Sequence, residues 1–273
     1  MAEIKKLYPG GKTKAFILTY DDGVEEDIKF VGLIEKYNLK GCFNLNFGLM
    51  ENQFEWKHPS GKTIKRLSLQ TAVKLYKNHE IASHTMTHPN LENLKKNEIL
   101  LEMYRDKENL ELLFERKVRG FAIPFSFFSP LVKKCIKKSC FEYGRISEES
   151  FSLEPATDYF AWKPSIFHLN DKLENFVNSF LQTDRELAIC TIAGHSYDLE
   201  VENKWGLLEN IFKRINDNEN ILSMTMAENA AYLKAMEKSY FTKEKITNAS
   251  PIPLWFEVYG TTVSLPPFKE YPL

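Results

Sequence analysis

The stretch "FILTYDDGVEED", Phe16–Asp27, runs four apolar or β-branched residues into two adjacent carboxylates and then a glycine. Phe16, Ile17, Leu18 and Thr19 read as a buried strand, and Val24 to Tyr37 shows helical spacing at Ile28, Val31, Leu33, Ile34 and Tyr37. A strand followed at once by a helix is one βα unit. The same unit recurs along the chain. Strand-like runs "KGCFNLNF", His79 to Ser83, "RGFAIP", "FEYGRIS", "FAWKPSIF", "LAICTIAG" and "NILSM" alternate with helical patterns at Ser68–Lys77, Leu94–Phe114, Pro130–Lys138, Lys172–Leu181, Lys204–Ile215 and Ala227–Lys238. Such alternation predicts a parallel sheet, and this number of units predicts an α/β fold that curls into a closed or nearly closed barrel. The segment Phe47–Lys65 has no clear period and reads as a long loop. "PLWFEVYGTTVSLPP" alternates around Gly260, which predicts a hairpin from Leu254 to Leu265 turning near Tyr259-Gly260 and packing on the barrel's exterior.

At 273 residues and 43% apolar content the chain can bury a core of this size in one large domain. The net charge of −1 carries no basic field for nucleic acid or an anionic membrane surface. Cys42, Cys135, Cys140 and Cys190 are scattered without a CxxC pair, so free thiols are expected and a thiolate zinc site is not. No apolar run approaches the length of a membrane span, and "MAEIKKLYPGGKTK" has no apolar leader core; a cytoplasmic protein is expected.

In a barrel of this kind working groups sit where strands end, which selects "YDDG", "SHTMTH", "IPFSF", "WKPS" and "AGHSYD". His84 and His88 stand four apart directly after a strand. One helical turn there would put both imidazoles on one side, able to share a metal ion. Two histidines and one carboxylate leave coordination positions open for water and substrate. One carboxylate of the Asp21–Asp22 pair can then be the third ligand and the other the base, with Gly23 permitting the bend that separates them. The alternative is that Asp22 caps a helix starting at Val24 and Asp21 is a solvated neighbour.

Together "LTYDDG", "SHTMTH", "GFAIPFSF" and "IAGHSYD", in this order, resemble the polysaccharide deacetylases of carbohydrate esterase family 4 over roughly Ala15 to Ala235. The resemblance implies a distorted (β/α) barrel of about seven parallel strands, over residues 1–249, with 250–273 as a C-terminal β-hairpin tail. It implies a hydrolase that removes acetyl groups from N- or O-acetylated sugars and uses a divalent metal, zinc first. Carried over residue by residue, it makes Asp21 the general base, Asp22, His84 and His88 the metal ligands, and His195 the general acid. Pro124 and Phe125 would wall the acetyl pocket and offer a backbone N–H, with Trp162 and Tyr20 as further substrate-binding residues. His168 is one more candidate for the cleft. The pattern departs from the family in three places, one being Ser126 where the family has a glycine after the proline–aromatic pair. The slot two residues before Pro124 is Ala122 where the family has an Arg that pairs with the catalytic Asp; the nearest Arg in sequence is Arg119. The Asp that supports the acid His has no counterpart, Asp158 being the nearest to Trp162. An acetylated carbohydrate is the expected partner. A hydrolase of a linear or cyclic non-sugar amide, and a non-catalytic carbohydrate-binding protein, are the other readings.

Overall fold

The run Lys14–Asp21 forms a strand buried at all eight positions. Phe16, Leu18 and Tyr20 pack outward among helix residues such as Phe30, Phe180 and Phe212, whereas Ala15 and Ile17 face an inner cluster with Cys42, Ala82, Tyr143 and Ile189. A strand covered on both sides carries a near-continuous apolar run, which is why this segment reads so clearly in the sequence. The coordinates are a computed structural model that describes residues 4–273.

In chain order, β1 (Ile4–Leu7) leads into β2 (Lys14–Asp21), α1 (Asp27–Lys36) and β3 (Gly41–Leu45). Next come α2 (Phe47–Glu51), β4 (Glu55–Lys57), β5 (Thr63–Lys65), α3 (Leu69–Leu75), β6 (Glu80–Ser83) and α4 (Lys96–Phe114). The chain continues through β7 (Gly120–Ala122), α5 (Pro130–Lys138), β8 (Tyr143–Arg145), β9 (Ile166–Phe167), α6 (Leu173–Gln182) and β10 (Ala188–Gly194). It then forms α7 (Ser196–Val201), α8 (Trp205–Asn216), β11 (Ile221–Ser223) and α9 (Met226–Met236). The last strands are β12 (Ser239–Phe241), β13 (Lys245–Asn248), β14 (Leu254–Val258), β15 (Thr261–Leu265) and β16 (Glu270–Pro272).

Seven parallel strands curl in the order β8-β7-β6-β3-β2-β10-β9. One edge of β2 is shared: β3 pairs with Leu18–Asp21 and β11 with Lys14–Phe16. The curl is incomplete between β8 and β9, where a single bridge from Arg145 to Trp162 spans the seam. The fold is therefore a distorted (β/α) half-barrel.

Phe47–Lys65 is not a loop. It holds α2 and an antiparallel hairpin, Glu55–Lys57 against Thr63–Lys65, too short to show a period. α1 begins at Asp27 rather than Val24, because the buried Asp27 carboxylate itself accepts the Val24 N–H at 3.2 Å. Asp22 therefore caps nothing. At the far end β14 and β15 pair about Tyr259 and Gly260, and β1 adds to β14 as a third antiparallel strand. No helix among the described residues is long and apolar enough to cross a membrane.

Candidate active site

The C-terminal ends of β2, β6, β7, β8 and β10 converge, and each delivers one chemistry-bearing segment. On β2 the inward positions end with Asp21, whose Oδ1 accepts a hydrogen bond from Asn44 Nδ2 at 2.7 Å. Arg145, at the end of β8, reaches both Asp21 oxygens through Nη2 at 2.5 Å. The next residue would point to the opposite face of an extended strand. Instead the backbone turns left-handed at Asp22 (φ 87°) and Gly23 (φ 66°). Only glycine fits the second of these positions at low cost, since an added Cβ would lie 2.8 Å from Leu45. The turn brings Asp22 to Arg66, which is 3.0 Å from Oδ1 and also donates to the Asp22 carbonyl. Two adjacent carboxylates thus coexist because each faces its own buried guanidinium. Burial pushes both carboxyls up, but Arg145 with His84 and His195 outweighs it for Asp21, and Arg66 with His195 and His88 does so for Asp22. Both are held below the ordinary carboxylate range and stay ionised.

Asp22, His84 and His88 each present one ligand atom, and the three atoms lie within 4.8 Å of one another. The predicted helical turn between the histidines is absent. The chain leaves β6 through an irregular loop with left-handed φ at Thr85 (70°) and His88 (55°), and the two rings meet edge-on with centroids 4.8 Å apart. That loop is fastened from beneath by Asn46 Nδ2, which donates to the His84 and Thr85 carbonyls. The buried Asp106 carboxylate adds to this by accepting from Ser83 Oγ at 2.6 Å and from the His84 N–H at 3.2 Å. His84 Nδ1 faces the Ala122 carbonyl at 2.9 Å, so that nitrogen carries the proton and the Nε2 lone pair is free. Burial lowers the His84 pKa to about 4 and also lowers that of His88, so both imidazoles are neutral. Asp22 Oδ1 is buried, makes no well-aligned hydrogen bond beyond its ion pair with Arg66, and lies 3.7 Å from His88 Nε2. An ionised, buried carboxylate beside two neutral imidazoles is the donor set a divalent cation takes, and these residues fit one.

His195, the first residue after β10, points Nε2 to within 4.0 Å of both Asp21 Oδ2 and Asp22 Oδ2. Its Nδ1 is held at 2.9 Å by Asp198, three residues on in α7. Partial burial pushes the imidazole pKa down, yet Asp198, Asp22 and Asp21 together raise it to about 9. His195 is a cation at neutral pH. His168 lies behind it, 3.8 Å from Asp198, and its Nδ1 meets the Tyr20 hydroxyl at 2.8 Å. Gly194 makes room for that ring, because a Cβ there would sit 2.5 Å from His168.

The remaining candidates divide. Pro124 is buried and Phe125 stands exposed, its ring 4.7 Å from His88. Tyr20 is 1% exposed on the outer face of β2, its ring tilted against Phe30, and its hydroxyl is engaged by His168 rather than turned to the cleft. Trp162 is 3% exposed and packs between Tyr143 and Tyr159. It touches the site only through its strand bridge to Arg145. Asp158 serves neither: it pairs with Lys133. Three partners escaped sequence reasoning. Arg145 supplies from β8 the guanidinium absent at Ala122, and its place at a strand end was the available signal. Asp198 supplies the carboxylate beside His195, readable only as an i, i+3 neighbour. Arg66, the residue that follows β5, had no signal.

Residues 9–144 match the family model described as polysaccharide deacetylase. A family 4 carbohydrate esterase from Streptomyces lividans, solved with acetate, is 13% identical with a TM-score of 0.50; the match covers 78% of this chain and 92% of that one. A family 4 pseudoenzyme from Bacillus anthracis is 17% identical with a TM-score of 0.52, covering 83% and 68%. A Streptococcus pyogenes deacetylase, also solved with acetate, is 20% identical with a TM-score of 0.43; the match covers 49% of this chain and spans 56% of that protein's length. At these identities the likeness to solved structures is one of fold. No curated protein matches the chain in sequence.

Proposed function

From the premise that this chain is a polysaccharide deacetylase-like protein of the carbohydrate esterase family 4 type, we propose that it is a metal-dependent hydrolase of acetylated sugars. The family supports a deacetylase-type hydrolase. The finer reading rests on one observation: a metal-capable trio, Asp22, His84 and His88, lies beside an ionised aspartate and a cationic histidine 4.0 Å from each other. Asp22, His84 and His88 would hold the cation, with zinc the proposed ion. When bound it polarises the acetyl carbonyl and lowers the pKa of a water from 15.7 to about 7.

The chain's own residues do the rest. Asp21, kept ionised by Arg145 and oriented by Asn44, accepts the proton of the attacking water as its oxygen bonds to the carbonyl carbon. A backbone N–H at Phe125 would donate to the carbonyl oxygen as negative charge develops there. His195 donates its Nε2 proton to the sugar nitrogen as the C–N bond breaks, and Asp198 on Nδ1 fixes the ring and stabilises its charge. An amine leaves poorly without that proton. The products are acetate and the free amino sugar, and exchange with water resets Asp21 and His195.

The arginine missing at Ala122 would favour the reading as a hydrolase of a non-sugar amide, but Arg145 supplies a guanidinium to Asp21 from β8. In the division proposed here, 1–249 carries the chemistry and 250–273 is a tail that braces the barrel. The test is acetate release from an N-acetylglucosamine oligomer by zinc-loaded protein, beside its His88→Ala variant. Release that persists undiminished in that variant under chelator would overturn the metal-dependent reading.

A further inference from the structure

Arg66 is laced to the turn that carries Asp22. It follows β5 directly and forms an antiparallel bridge with Val24. Beside that bridge the Leu67 N–H donates to the Gly23 carbonyl and the Glu25 N–H to the Lys65 carbonyl, each at 2.9 Å. The side chain is held as firmly as the backbone. It is 6% exposed, its guanidinium carbon lies 5.1 Å from the centre of the Trp56 ring, and Nη1 donates to the Asp22 carbonyl. The same Nη1 stands 3.0 Å from Asp22 Oδ1, yet that oxygen receives no well-aligned hydrogen bond from it. Oδ1 can therefore ligate a cation while the guanidinium stays where it is. Asp21 is likewise matched by Arg145. A dication entering among Asp22, His84 and His88 meets two aspartates whose charges already have partners.

We infer that Arg66 is a resident cation that weakens divalent-cation binding by Asp22, His84 and His88 and frees the fold from dependence on the metal. The inference rests on the proposed ligand role of Asp22. A guanidinium beside a ligating oxygen repels any cation that oxygen holds, and in a buried site bulk salt screens the repulsion little. The same charge stabilises the turn. A buried carboxylate stripped of its partner is costly, and Arg66 supplies that partner whether or not a metal is bound. The arrangement thus exchanges metal affinity for a site that assembles first and is loaded afterwards. The hairpin that leads into Arg66 lies outside the barrel sheet, so this control is added to the barrel from without.

Two variants and two measurements test this. Arg66→Gln removes the charge and keeps an amide N–H for the Asp22 carbonyl, whereas Arg66→Lys keeps the charge. Each full-length protein is stripped with chelator, its zinc affinity is read by calorimetric titration in competition with a chelator, and its Tm is read with and without zinc. Arg66→Gln should bind zinc about tenfold more tightly than the wild type or better, and Arg66→Lys should stay near the wild type. Stripped Arg66→Gln should melt below the stripped wild type, and zinc should raise its Tm by more. Should stripped Arg66→Gln not fold, recovery of the fold by zinc would carry the same conclusion, and a chain that stays unfolded with zinc would overturn it. In proteins that bind zinc, an affinity in Arg66→Gln equal to or weaker than the wild type's would overturn the inference alone, because loss of a merely structural contact does not tighten binding. A gain as large in Arg66→Lys would also overturn it. Zinc binding by neither wild type nor variant would overturn the metal-dependent reading of the site and this inference with it.

Discussion

Removing Arg145 should do more harm than removing any other charge in the protein. Arg145 is 1% exposed and Asp21 6%, so neither can be resolvated by a small movement. For charge centres about 4 Å apart at an effective dielectric near 20, the attraction is about 4 kcal/mol. Stripping one partner from a buried pair costs about 3–5 kcal/mol, because the survivor stays buried and unpaired. Arg145→Met should therefore lower unfolding free energy by about 3–5 kcal/mol in urea at pH 7. The pH dependence carries a sign. The Asp21 pKa is depressed in the folded state, so its ionisation contributes stability above the unfolded value of 3.8, lost as pH falls through the lower folded value. Without Arg145 the first-ranked influence, burial, raises that pKa, so the acid limb of kcat/KM should move upward in pH. Asp21→Asn leaves Arg145 as the unpaired charge and should also destabilise. The pair Arg145→Met with Asp21→Asn should recover at least half of the summed losses, since no lone charge remains. A loss below about 1 kcal/mol for Arg145→Met, or strict additivity in the cycle, would refute the claim that this pair is what keeps Asp21 ionised.

Other variants separate the roles at the site. Asp21→Asn should retain one cation per chain by elemental analysis yet lose about 10²–10⁴-fold in kcat, whereas Asp22→Asn should weaken cation affinity and be partly rescued by excess metal. His84→Ala or His88→Ala should abolish stoichiometric binding in a calorimetric titration; full occupancy in the double variant would dismiss the ligand assignment. His195, raised to about 9, is a cation below that pH, so activity should fall as pH rises through about 9. Asp198→Asn should shift this alkaline limb toward the ordinary histidine value, and an unmoved limb would show that another group sets it. Gly194→Ala drives a methyl against the His168 ring and should cost about 1–3 kcal/mol by thermal unfolding, with no cost expected if that ring were free to swing away.

The barrel was legible in the chain because β2 and β10 are covered on both faces, and two-sided burial writes itself as unbroken apolar runs. The candidates Asp21, Asp22, His84, His88 and His195, which the structure brings together, were legible too, since they lie at or shortly after the ends of strands whose positions the pattern reveals. Partners that come from other strands left almost no trace. Arg145 and Arg66 reach the Asp pair from β8 and from just after β5, across sequence separations of 124 and 44 residues, and no local period encodes such a meeting. The helical turn expected between His84 and His88 failed for a related reason: hydrogen bonds donated by Asn46 and accepted by Asp106 hold an irregular loop that local propensity cannot foresee. Tyr20 sits in the right segment but on the outer face, because a strand's period of two tells that faces alternate without telling which is inside, and Trp162 lies on the inner side but buried among Tyr143 and Tyr159. The sequence by itself determined which atoms are available for chemistry. The tertiary structure alone decided their charge states, because those depend on which buried cation each carboxylate meets.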